Sequence, residues 1–136
     1  MNYTAIGDAI NLASRLDGLN KIYGTSIIAS DRIVERVNHA FDFRFLDVVA
    51  VKGKSEPIKI YELLGTKGAF EHYGKVISAY ETAFSAYAAG DFEHALAVLQ
   101  ENMSDPPSTV LIERCRTFLQ VPPPASWHGI YISASK

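Results

Sequence analysis

The sequence has one cysteine, little net charge and no long apolar run, and each shortage excludes a class of protein. Cys115 alone cannot form an internal disulfide, so the fold does not rest on a disulfide framework. No stretch approaches the roughly 18 apolar residues needed to cross a bilayer, and Met1-Asn2-Tyr3-Thr4 runs directly into a Gly-Asp pair without the charged and apolar regions of a leader. The chain therefore reads as soluble and cytoplasmic. A formal charge of −2 provides no broad attraction to nucleic acid or to an anionic membrane, so any phosphate must be held by a few placed residues. Histidine is also sparse: His39, His72, His94 and His128 are too dispersed for a metal site. What is present, 48% apolar residues in a chain of 136, is enough for one modest core.

Periodicity organises the first half. Leu12, Leu16, Leu19 and Tyr23 recur at helical spacing and predict a helix from about residue 7 to 23, ended by Gly24. Thr25 to Ala29 reads as a short buried strand, and Ser30-Asp31 starts a brief helix through Val37. Phe41, Phe43 and Phe45 alternate with Asp42 and Arg44, which predicts a strand over Phe41 to Val51. Ile58 to Leu64 is a second β-rich run, with Lys52-Gly53-Lys54-Ser55 as the turn of a hairpin.

At Gly65-Thr66-Lys67-Gly68 strands give way to helices, and the charge changes from nine basic against eight acidic residues before Ala69 to four against seven from there on. We place a boundary here, dividing residues 1–66 from 67–136. Tyr80, Phe84 and Tyr87 lead through Gly90-Asp91 into Phe92, Ala95, Leu96 and Leu99, a helical pair. Tyr87-x-x-Gly90-Asp91-Phe92-x-x-Ala95 resembles part of a tetratricopeptide unit, and one such unit must dock on something because solenoids need several. Asp105-Pro106-Pro107-Ser108 starts a third helix through about Leu119 that carries Cys115 as a small core residue. Pro122-Pro123-Pro124 then leads to Trp127, read as the anchor of a docked tail.

Two constellations could hold a nucleotide. Asn11 and Arg15, four apart, share a helix face, and an amide beside a guanidinium fork suits a sugar hydroxyl and a phosphate. Lys52-Gly53-Lys54 places two cations around a glycine turn, as a polyphosphate would require. Each pattern alone also describes a solvated helix flank or hairpin tip.

Taken in order, Tyr3-Thr4-Ala5-Ile6-Gly7-Asp8, Asn11-Leu12-Ala13-Ser14-Arg15-Leu16, Tyr23-Gly24-Thr25, Phe43-Arg44, Val51-Lys52-Gly53-Lys54 and Ile60-Tyr61-Glu62-Leu63 form a string that resembles class III adenylate and guanylate cyclases over roughly residues 3 to 64, most like the bacterial adenylate cyclases. The resemblance implies an α+β fold: the C-terminal half of a ferredoxin-like cyclase domain, a mixed sheet with packed helices, followed by the small helical tetratricopeptide-like extension. It implies a dimeric parent that converts ATP to 3′,5′-cyclic AMP and pyrophosphate at sites on the dimer interface. Asn11 would orient the ribose, Arg15 would stabilise charge at the α-phosphate and Lys52 would hold the terminal phosphates, while Lys54 takes no role. Thr4, seven residues before Asn11, stands where adenylate cyclases place an Asp or Thr that bonds adenine, which favours ATP over GTP and makes guanylate cyclase the alternative.

The family's two metal-binding aspartates precede everything matched here. Asp8 follows Gly7 at a helix start and reads as a cap, and Asp17, Asp42 and Asp47 are unclustered, so no metal ligand is assigned. Mg²⁺ or Mn²⁺ would belong to the intact enzyme, and this chain alone would be inactive. The competing function is a non-catalytic module that binds nucleotide or protein, or complements another cyclase half. Without the early strands, the hairpin would also have an unpaired edge and the first helix an uncovered apolar face, which predicts self-association.

Overall fold

The computed structural model describes residues 19–25, 27–50 and 56–132. A helical turn over 19–23 ends at Gly24, whose φ of +68° is a left-handed value that glycine adopts without strain. Next in the chain come β1 (Ile28–Ser30), α1 (Asp31–Val37), β2 (Phe41–Ala50), β3 (Ile58–Thr66), α2 (Gly74–Ala88), α3 (Phe92–Leu99), α4 (Pro106–Gln120) and β4 (Ile130–Ile132). The architecture is α+β, with a four-stranded mixed sheet and packed helices. The strand order is β1-β3-β2-β4: β3 runs antiparallel to β1 and to β2, and β4 lies parallel to β2.

Most elements form where the pattern places them. Ser30 precedes α1, although its side chain makes no cap bond, and the β1 strand sits slightly later than Thr25 to Ala29 because its length is set by pairing with Ile60–Glu62 of β3. Asp91 and Asp105 cap α3 and α4, accepting hydrogen bonds from the backbone N–H of His94 and Ser108 respectively. Pro106 and Pro107 fill the first positions of α4, where a missing N–H costs nothing.

Two expectations about exposed surfaces are modified in part. β1 pairs with β3 at Ile60–Glu62 and β4 with β2 at Val48–Ala50, so each outer side of the β2–β3 hairpin is covered over three positions. A three-residue strand after a proline-rich linker offers too little period-two pattern to be read from sequence. The predicted first helix is not bare at its end either, because Leu19 and Tyr23 are fully buried.

The core has two parts. One gathers Tyr80, Phe84, Tyr87, Phe92, Leu99, Leu111 and Cys115 from the three helices, with Phe45 and Val48 of β2 packed on it. Trp127 seals its end against Tyr87, Phe92 and Phe118, with ring centroids 5.0, 5.7 and 5.1 Å away. The tail is docked as expected, and Cys115 is a buried core residue. The other part joins Leu19, Tyr23, Leu46, Val49 and Ile60, with Val110 of α4 and Tyr131 of β4 against it. Residues on both sides of the 66/67 boundary thus contribute to both parts.

The ladder between β2 and β3 is irregular at two points, between Asp42 and Phe43 and between Phe45 and Asp47, and the second sets the direction of two charges. Phe45 pairs with Tyr61 but Asp47 pairs with Ile60, so Leu46 is an extra residue. Three positions apart on a regular strand, Arg44 and Asp47 would point to opposite faces. The bulge instead aligns them with Glu62 and Ile60, which share a face.

Candidate functional site

Thr4, Asn11, Arg15 and Lys52, the residues to which the sequence assigns nucleotide binding, lie outside the described residues, as do Lys54, Asp8 and Asp17. What is described is the frame around them: the last turn of the predicted Asn11/Arg15 helix, and the ends of β2 at Ala50 and β3 at Ile58, between which Lys52 falls in sequence. Two buried ionic clusters tie this frame to the helices.

In the first, the Asp47 carboxylate is fully buried and accepts hydrogen bonds from the Tyr23 hydroxyl, from Arg114 at 2.6 Å and from the Val48 N–H at 2.8 Å. Arg114 also donates to the Tyr23 oxygen at 3.2 Å and lies 4.2 Å from the ring centroid of Tyr131. Four pieces of chain meet here: the 19–23 turn, β2, α4 and β4. Burial and the Asp47 carboxylate push the Tyr23 hydroxyl well above its ordinary value, so it stays a donor. Burial alone would lower the Arg114 value, but Asp47 and Tyr23 reverse that and keep the guanidinium charged.

In the second, Arg44 makes a bidentate pair with Asp105 at 2.7 and 3.0 Å, with the two side chains 1% and 3% exposed. Asp105 also accepts from Tyr73 at 2.7 Å and from the Ser108 hydroxyl at 2.6 Å. Burial would raise the Asp105 carboxyl, yet these donors, Arg44 first, hold it below the usual carboxylate value. The hydroxyl of Tyr73 is pushed up to about 12 by burial and by its bond to Asp105. Arg44 further stacks over Tyr80 at 4.7 Å, and the Tyr80 hydroxyl donates to the Leu46 carbonyl at 2.6 Å. A groove beside this pair is lined by Ile27, Glu62, Phe70 and Tyr73, and burial raises the Glu62 carboxyl there.

Both clusters have the chemistry of supports. Each carboxylate accepts at least three hydrogen bonds and is paired with a guanidinium, so neither cluster offers a free base or nucleophile. Among the described residues no three His, Cys, Asp or Glu side chains come together as a metal site, and no helix is long and apolar enough to cross a membrane. Sequence reading missed Asp47, set aside as unclustered, and its partner Arg114. It read Asp105 only as part of a helix start and Arg44 only as part of a motif. The signal that could have flagged Arg44 and Asp47 is an arginine and two aspartates, Asp42 among them, in a ten-residue strand otherwise made of Phe, Leu, Val and Ala.

Three relatives share substantial identity with the chain. It is 46% identical over 65 residues to adenylate cyclase 1 of Rhizobium meliloti (strain 1021), covering 48% of the chain and 10% of the relative. It is 46% identical over 63 residues to an adenylate cyclase of Anabaena cylindrica, covering 44% and 12%. It is 35% identical over 124 residues to the terminal-differentiation specific adenylate cyclase of Dictyostelium discoideum, covering 85% and 6%. All three relatives are adenylate cyclases by name. The chain spans about a tenth of their length or less. A match to 85% of the chain cannot fit within residues 1–66, so the likeness to the Dictyostelium protein reaches well into the helical part. No family model matches the chain, and no solved structure matches it significantly.

Proposed function

We propose that this chain supplies the nucleotide-holding side of a class III adenylate cyclase, which converts ATP to 3′,5′-cyclic AMP and pyrophosphate in a cytoplasmic, dimeric enzyme. The observation that carries the reading is the likeness to three proteins named adenylate cyclase, together with the ordered motifs that contain Thr4, Asn11, Arg15 and Lys52. In the reaction the ribose 3′-oxygen bonds to the α-phosphorus, the bond from that phosphorus to the bridging oxygen breaks, and pyrophosphate leaves while the hydroxyl proton is lost. Asn11 orients the ribose for that in-line approach. Arg15 meets the charge that grows on the α-phosphoryl oxygens, Lys52 holds the terminal phosphates and Thr4 reads adenine rather than guanine.

Residues 1–66 form the C-terminal half of a ferredoxin-like catalytic domain in this reading, and residues 67–136 a tetratricopeptide-like extension. A bound Mg²⁺ or Mn²⁺ would supply activation of the attacking hydroxyl and charge neutralisation at the triphosphate. Among the described residues no three His, Cys, Asp or Glu side chains gather to fit such an ion, and in this reading its ligands are the two family aspartates that precede the matched motifs. The test compares cyclic AMP formation from ATP and Mn²⁺ by the isolated chain and by the full-length polypeptide that carries it. We expect none from the first and turnover from the second, with Arg15→Ala lowering kcat far more than nucleotide affinity. Turnover by the isolated chain, or an equal loss of affinity in Arg15→Ala, would refute the reading.

A further inference from the structure

Glu62 of β3 stands directly across from Arg44 of β2, a placement at which opposite charges on neighbouring strands ordinarily meet. Here they do not. Arg44 gives both terminal nitrogens to Asp105, and its Nε is buried without a hydrogen-bond partner, so no part of the guanidinium bonds Glu62. Among the described residues no hydrogen bond or ion pair reaches the Glu62 carboxylate. Arg44 and Asp105 cancel one another, which leaves Glu62 as an uncompensated negative charge beside them. Burial accordingly raises its carboxyl above the ordinary value. The charge lies in the wall of a groove of about 580 Å³, a size that suits a small ligand. The other walls are apolar and aromatic. Ile27 and Phe70 are 52% and 36% exposed, Tyr73 is held in place by its hydrogen bond to Asp105, and Pro106 opens α4.

We propose that this groove binds a small organic cation, an ammonium carried on an apolar body, with the ammonium on the Glu62 carboxylate and the body against Phe70, Tyr73 and Pro106. Such a ligand supplies the counter-charge that Arg44 withholds. The gain exceeds that of a pair in water, because a half-buried carboxylate is less screened. An anion is repelled by Glu62, and a neutral apolar compound would desolvate the carboxylate further without pairing it. The aromatic rings of Phe70 and Tyr73 suit both a flat apolar body and a nearby cation. The backbone argues for a small molecule over an extended peptide. Glu62 is paired with Ile28 on one side and Arg44 on the other, and the Leu63 N–H donates to the Ile27 carbonyl, so a peptide strand would find its main-chain partners already taken. The site does not depend on the cyclase reading.

Three probes test the charge directly. Tryptamine, tryptophol and indole-3-propionate share one ring system and end in a cation, a neutral hydroxyl and an anion. Titrated into this chain at neutral pH and followed by heteronuclear amide spectra, tryptamine is expected to shift the amides of Glu62, Phe70 and Tyr73 with a dissociation constant of about 1 mM, the order usual for a ligand of about a dozen heavy atoms. Tryptophol should bind about 10-fold more weakly or worse, since it exchanges a charge-assisted contact for a neutral one, and indole-3-propionate more weakly still. Glu62→Gln, which keeps the shape of the side chain, should bring tryptamine down to the level of tryptophol. Glu93→Gln, at an exposed position of α3, should leave it unchanged. The probe series is read on the native chain and so holds even where Glu62→Gln disturbs the fold. Equal affinity for tryptamine and tryptophol, no saturable shift of these amides, or undiminished binding by a folded Glu62→Gln variant would overturn the proposal. So would a blocked Leu-Arg-Leu peptide that shifts the same amides when tryptamine does not, because the groove would then be a docking site for a protein segment.

Discussion

Replacing Arg44 with methionine should be among the most damaging single changes in the chain, although it keeps most of the side chain's length. The substitution leaves Asp105, 2% exposed, without its cation. Breaking a buried pair from one side typically costs about 3–5 kcal/mol. Asp105 retains Tyr73 and Ser108 as donors, and among the described residues the Arg44 Nε has no hydrogen-bond partner in the native structure, so losing it restores a little. We therefore expect about 3 kcal/mol, which at an m-value near 1.5 kcal/mol/M moves a urea midpoint down by about 2 M. Trp127, the chain's sole tryptophan, sits in the aromatic cluster of the helical core and reports unfolding by fluorescence. The double variant Arg44→Met/Asp105→Asn removes both charges while keeping an amide that can cap α4, and should recover at least about half of the loss. A loss below about 1 kcal/mol in the single variant, or simple additivity with Asp105→Asn in a double-mutant cycle, would refute the assignment of this pair as a buried, mutually dependent unit.

Three more perturbations have defined outcomes. Because the Asp105 carboxyl is held below its ordinary value in the folded chain, the stability it contributes is full above the unfolded carboxylate value of about 4 and is lost as pH falls further; urea midpoints at descending pH should show Asp105→Asn losing less than wild type through that window. Gly24→Ala combines a strained φ of +68° with a methyl 2.7 Å from Pro106, and should cost about 1–3 kcal/mol in the same denaturation assay. The Cys115 thiol is buried and pushed up to about 11, so a disulfide reagent should label it at the rate of unfolding rather than at that of an exposed thiol.

The order of helices and strands was legible in the sequence because each rests on local chemistry. Phe41, Phe43 and Phe45 alternate, Tyr80, Phe84 and Tyr87 recur at helical spacing, and Asp105-Pro106-Pro107 announces a helix start. What escaped depends on residues far apart in the chain. Arg44 and Asp105 are separated by 61 positions, and Asp47 and Arg114 by 67. No periodicity relates them. The bulge at Leu46 was hidden for the same reason, since an extra residue is visible only against the register of its partner strand. β4 was missed because three residues pair only after the proline-rich tail has folded back onto β2. The nucleotide-binding assignment, by contrast, came wholly from motif order, and Thr4, Asn11, Arg15 and Lys52 fall outside the described residues.

The bulge also gives the seam between strand and helix a polarity. Along β2 the side chains that reach α4 read positive then negative, Arg44 then Asp47, and along α4 they read negative then positive, Asp105 then Arg114. Each charge meets its opposite only when the helix runs in one direction. With α4 reversed end for end, Arg44 would face Arg114 and Asp47 would face Asp105, two like-charged encounters in a dry interior, each costing several kcal/mol. Apolar packing is nearly indifferent to such a reversal. The four charges therefore act as a key that admits one docking direction, and the register shift at Leu46 is what cuts its teeth on a single side.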